Sequence, residues 1–233
     1  MKEKKIHDQD LGEITLRYNE RAKRYLIRIK EGKIVAIIPK RGNKQTMLAF
    51  INEQRIKLLA MLQKGAKPLF LDEETNLQTF TFQLHIFRSQ RTKFYATLKE
   101  KTLHIACPEN TDFNNDNTQH LLQSILKQAL KREAKRILPT RLEELAKQHN
   151  FHYNKVAVRD TKSRWGSCTS HKNISLSLSL MFLPAHLIDY ILLHELCHTV
   201  EMNHGSRFWT LMNKVTNCQA KSLRNELKDY RML

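Results

Sequence analysis

Short alternating runs open the chain. ITLRY at 14–18, RYLIRIK at 24–30 and KIVAIIP at 33–39 mix β-branched and aromatic residues with polar ones, and turn signals at Asn19-Glu20 and Glu31-Gly32 separate them. The pattern predicts an antiparallel meander. The apolar positions then change period: Met47, Phe50, Ile51, Ile56, Leu58, Leu59 and Leu62 follow a largely helical spacing over 43–64, and Gly65 and Pro68 come next. That is a helix with a stop signal. TFTFQLHIF at 79–87, KFYATLK at 93–99 and TLHIA at 102–106 return to strand patterning, the last halted by Cys107-Pro108.

The polar segment ENTDFNNDNT, 109–118, has little to bury and predicts a boundary between an N-terminal β-rich domain, 1–112, and a second domain, 113–233. Beyond it, Leu121, Leu122, Ile125, Leu126, Ala129 and Leu130 mark a helix over 118–149, which Pro139 is expected to kink or divide. KVAVRD at 155–160 and ISLSLSL at 174–180 read as strands, and KSRWGSCTSHKN between them is too rich in turn formers for a helix. PAHLIDYILLHELCHTV, 184–200, is apolar on several sides and predicts a helix buried in its own domain. The sum is an α+β fold: an N-terminal antiparallel β-rich region with a helix, then a more helical second domain. No internal repeat of solenoid length is visible.

The buried helix carries the chemistry. Leu187, Ile191, His194, His198 and Glu201 recur at three- and four-residue steps and share one face, so two imidazoles one turn apart can reach one tetrahedral zinc. Glu195, offset by about 100° around the helix, can act on an attacking water as a general base without taking a coordination position. A catalytic zinc needs a third protein ligand and an open fourth position. Glu201 and His204 are the local candidates. Glu201 can instead accept a hydrogen bond from an imidazole, whereas His204 follows Met202-Asn203 and precedes Gly205, where a helix stop turns the chain back, which favours His204. Cys197 lies off the histidine face, which argues against a purely structural, thiolate-rich zinc.

Charge adds a second possibility. The chain has 40 Lys and Arg against 23 Asp and Glu, a formal net charge of +17, and Lys127, Lys131 and Lys135 with Arg132 and Arg136 form a basic stripe on the 118–149 helix. The stripe is either a solvated face or a phosphate-tracking surface for nucleic acid or DNA-bound protein. Cys107, Cys168, Cys197 and Cys218 form no C-x-x-C pair, and no run approaches the 18 to 20 apolar residues of a membrane span. A soluble cytoplasmic protein with reduced thiols and no membrane partner is expected.

SRWGSC at 163–168, the ISLS strand after it, FLPAHLIDYILLHELCH at 182–198 and NHGSRFW at 203–209 together resemble the YgjP-like metallopeptidase family, related to the SprT-like and WLM zinc peptidases. The resemblance covers most of the chain and is most specific over 162–212. It implies a zincin-like catalytic core built around the HExxH helix and a protein or peptide substrate. It also implies that His194, His198 and His204 are zinc ligands and that Glu195 is the general base and acid. Gly205 stands where many relatives are expected to carry Ser, and it touches no ligand. Within the 164–168 loop, Arg164 reads as a partner for a substrate carboxylate or an oxyanion, and Trp165 and Gly166 as a tight corner. Cys168 and Cys197 read as small buried hydrophobes. Phe208, Leu211, Met212 and Val215 read as a core stripe. Two functions follow as expectations: a zinc metallopeptidase, or a basic nucleic-acid-associated protein with an auxiliary or degenerate zinc site.

Overall fold

The computed structural model describes residues 3–30, 33–64, 69–161 and 163–232, so the turn expected at Glu31-Gly32 and the stop signal at Gly65 and Pro68 lie outside the described residues. Two compact units, Met1–Pro68 and Leu69–Leu233, make up the chain.

In the first unit β1 (Glu3–Asp8), β2 (Gly12–Asn19), β3 (Leu26–Lys30) and β4 (Lys33–Pro39) form a sheet of order β1-β2-β4-β3. The expected antiparallel meander does not form. β2 runs parallel to β4, with Ile14 opposite Ile34, and β3 pairs antiparallel with the other side of β4. The reason lies in β4, the most apolar run of the three: its Ile34, Ala36 and Ile38 are all 0% exposed, so it takes an interior place between its two less buried neighbours. α1 (Lys44–Glu53) starts at Asn43, whose side chain accepts from the Thr46 N–H at 2.8 Å. A break at Gln54 separates it from α2 (Arg55–Lys64), and Met47, Ile51 and Leu58 close the core over Ile14, Leu16 and Ile34.

The second unit contains two more sheets. β5 (Gln83–Ser89), β6 (Tyr95–Lys99) and β7 (Thr102–Pro108) have the order β5-β7-β6, while β8 (Lys155–Arg159), β9 (Gly166–Cys168) and β10 (Asn173–Ser177) have the order β8-β10-β9. In both, the first strand is parallel to the third and the second pairs antiparallel with the third. β2, β3 and β4 follow the same rule. One connectivity therefore occurs three times, although no repeat is legible in the side chains. Leu26, Tyr95 and Gly166 open the three middle strands and face Ile37, Ala106 and Leu176 of the third strand, although the registers differ from sheet to sheet.

α3 (Asp116–Gln148) begins at Asn115, whose side chain accepts from the Asn117 and Thr118 N–H groups, and the polar 109–118 segment that leads into it lies inside the second unit. The helix is not divided at Pro139. That residue forfeits one backbone hydrogen bond, but Leu138 and Leu142 on either side of it are 0% exposed and anchor the helix in the core. A 3-10 turn at Leu178–Phe182 leads into α4 (Ala185–Cys197), which is followed by α5 (Ser206–Val215) and α6 (Ala220–Glu226). The Arg141 guanidinium of α3 clasps Asp189 of α4 with bonds of 2.8 and 2.7 Å, and His186 of α4 meets Glu226 of α6 at 2.6 Å. α4 is thus fixed on two sides. Among the described residues no helix is long and apolar enough to cross a membrane.

Candidate metal centre

α4 is held by its apolar residues: Leu187, Ile188, Ile191, Leu192 and Leu196 are all buried. Such a helix cannot rotate without exposing its core, so the polar residues near its end are presented from a rigid support. The helix ends at Cys197, and His198 is its C-cap, still right-handed at φ −67 and ψ −14, with its N–H on the His194 carbonyl at 3.2 Å. Glu201 is therefore off the helix. Thr199 and Val200 complete a last turn through N–H bonds to Leu196 and Cys197, and Gly205 bonds back to the Asn203 carbonyl at 2.8 Å. That bend returns His204 to the end of α4.

The Nε2 atoms of the three imidazoles converge. His194 and His198 are 3.2 Å apart, His198 and His204 3.1 Å, and His194 and His204 3.0 Å. Three ring nitrogens in a triangle cannot satisfy one another, because a ring nitrogen that carries a proton has no lone pair left to accept with, so at least one contact pairs two donors or two acceptors. A single cation can accept from all three. The separations are close to those of ligands that each lie about 2.0–2.1 Å from a shared tetrahedral zinc. His198 supports this orientation: its Nδ1 lies 3.0 Å from the Glu201 carbonyl, which can only accept, so the ring proton sits on Nδ1 and the Nε2 lone pair faces the cluster. The residues present fit a divalent ion.

Burial lowers the pKa of His194 to about 3, with further depression from His198, His204 and Arg224. Burial also lowers that of His198, against an opposing contribution from the Glu201 carbonyl. Neutral imidazole is the form that binds metal. Phe208 of α5 lies under the whole cluster, with its ring centroid 4.9, 4.6 and 4.7 Å from those of His194, His198 and His204. Trp209 stacks on His204 from 6.1 Å, and the Arg224 guanidinium covers Trp209 at 5.0 Å. The cluster is closed at His198 and open to solvent at His204.

Glu195 is 5% exposed, and its Oε2 has no hydrogen-bond partner among the described residues. Burial raises its pKa to about 8, opposed by the charge of Arg164. The 164–168 loop contains β9, a short strand that its turn-forming composition concealed. It is tied down by Ser177, whose N–H donates to the Trp165 carbonyl at 2.8 Å, and by Thr161, whose hydroxyl donates to the Arg164 carbonyl at 3.1 Å. Trp165 packs against the core, and Arg164 is exposed. Burial raises the pKa of Cys168 and pushes that of Cys197 up to about 12, so neither thiol is activated as a nucleophile.

The sequence alone presents Phe208 as a core residue and Gly166 as a corner. Both touch the site. Helical phase within 206–215 carried the signal for burial of Phe208, but nothing local showed what it would be buried against. In the basic stripe, Lys127 pairs with Asp160 and Arg136 with Glu133, while Lys131, Arg132 and Lys135 are exposed. No described contact adds to the charge argument for nucleic acid.

The family model described as YgjP-like, metallopeptidase domain, matches residues 23–230. No curated protein matches the chain. Among solved structures, the chain is similar to the crystal structure of the metallopeptidase zymogen of Pyrococcus abyssi abylysin, at 23% identity and a TM-score of 0.37, over 42% of this chain and 100% of that one.

Proposed function

Because this chain belongs to the YgjP-like metallopeptidase family, we propose that it is a zinc-dependent peptidase whose ion is held by the Nε2 atoms of His194, His198 and His204. The observation that carries the reading is the triangle of Nε2 atoms, 3.0–3.2 Å on a side. On this reading the catalytic core is zincin-like, is built around α4 and lies within residues 113–233, with 1–112 as the region before it. Protein or peptide is the substrate class that the family description supports.

When bound, the ion supplies Lewis acidity for the scissile carbonyl and for the attacking water. The chain's own residues handle the proton. Glu195 accepts it from the water on the unpartnered Oε2 and later delivers it to the leaving amine. The Glu201 carbonyl holds the Nδ1 proton of His198, which keeps the lone pair of that imidazole aimed at the ion. Phe208 excludes water from beneath the three rings and limits their rotation. A reducing, cytoplasmic setting suits the four unpaired cysteines.

The test is metal analysis of the purified chain together with hydrolysis of an unstructured protein substrate. The reading requires one zinc per chain, loss of hydrolysis on chelation and recovery on adding zinc back. Hydrolysis that is indifferent to chelation overturns it.

A further inference from the structure

Gly166 opens β9, in register with Leu176 of β10. Nothing in the backbone asks for glycine there. Among the described residues Gly12 is the glycine with positive φ, and Gly166 adopts an ordinary strand conformation. The repeated topology supplies a loose internal comparison, because the first residue of the other two middle strands is Leu26 and Tyr95. Strand pairing of this kind accepts large side chains.

The demand comes from across the gap to α4. A Cβ on residue 166 would lie 2.6 Å from Oε1 of Glu195, 2.7 Å from its Cγ and 2.8 Å from its Cδ. Real side chains do not approach so closely. The Glu195 carboxyl has no hydrogen bond that fixes Oε2, so packing against the bare face of Gly166 is what locates it. The α4 backbone cannot retreat, since Leu192 and Leu196 on either side of Glu195 are 0% exposed. The side chain of Glu195 is the part that would move.

We propose that Gly166 is a positioning residue for Glu195: its missing side chain forms the slot in which the carboxyl rests, and so sets where Oε2 stands. The kinetic consequence rests on the role given to Glu195 above, whereas the steric one does not.

The experiment compares the full, zinc-supplied chain with its Gly166→Ala variant by crystal structure and by kinetics. The carboxyl of Glu195 is expected to leave the slot while the three imidazoles stay in place. kcat should fall about 100-fold, with KM and bound zinc unchanged. A carboxyl that stays in position, or an unchanged kcat, overturns the proposal. So does loss of zinc, which would make Gly166 a structural residue of the whole centre. If the wild-type chain hydrolyses nothing, the peptidase reading fails, and the position of the carboxyl still decides the role of Gly166. If Gly166→Ala does not fold, Gly166→Ala combined with Glu195→Ala must recover folding, since the clash is then gone. Failure of that double variant also overturns the proposal.

Discussion

His198 donates its Nδ1 proton to the main-chain carbonyl of Glu201 at 3.0 Å, so the backbone of residue 201, not its carboxylate, orients this imidazole. The side chain of Glu201 is therefore dispensable. Glu201→Ala should retain zinc through dialysis, whereas His204→Ala, which removes one corner of the nitrogen triangle, should lose it. Bound zinc per chain measures both. Retention by His204→Ala with loss by Glu201→Ala would identify Glu201 as the third ligand instead.

Phe208 is 0% exposed and contacts all three imidazoles. Phe208→Ala should cost about 3–5 kcal/mol of stability through the cavity it leaves, and it should also weaken zinc binding because the rings lose their floor. Phe208→Leu should recover most of both. Urea unfolding and competition with a zinc chelator give the two numbers, and an alanine variant with unaltered zinc affinity would limit Phe208 to packing.

The Arg141 and Asp189 pair joins α3 to α4. Both side chains are partly exposed, at 41% and 29%, so the pair is worth about 1 kcal/mol at most after solvent screening. Arg141→Ala should lower stability by that amount and leave hydrolysis per folded molecule unchanged. A large loss of activity at full stability would show that α4 needs this clasp for catalysis.

In the first unit, the Arg55 guanidinium hydrogen-bonds the Asp8 carboxylate and holds its pKa down at about 2. A carboxylate with a depressed folded pKa stabilises the folded state above its unfolded value, about 3.9, and loses that stabilisation as pH falls through the folded value. Acid should therefore weaken this unit between roughly pH 4 and 2, and Arg55→Gln should abolish that contribution. A carboxyl NMR titration of Asp8 checks the premise, and a midpoint near that of an unperturbed aspartate contradicts it.

The histidine cluster was close to the surface of the sequence because its parts are local. Helical period alone relates His194 to His198, and one bend after the helix end brings in His204, so spacing carried most of the geometry. β9 was hidden for the opposite reason. Three residues in a turn-rich loop become a strand only by pairing with β10, and pairing is decided by distant partners. The parallel pairing of β2 with β4 was equally silent, since alternation reveals which face of a strand is buried but not which strand lies beside it. The persistence of α3 through Pro139 reflects core contacts overriding a local preference.

On the proposed reading, Glu195 moves the proton while the three histidines hold the metal. Glu195→Gln keeps the size and shape of the side chain and removes its basicity, so it separates the two roles. Measured side by side with the wild type, zinc content and peptide hydrolysis should diverge: stoichiometric zinc, and hydrolysis lowered at least about 100-fold. Undiminished, metal-dependent turnover by Glu195→Gln would contradict the account.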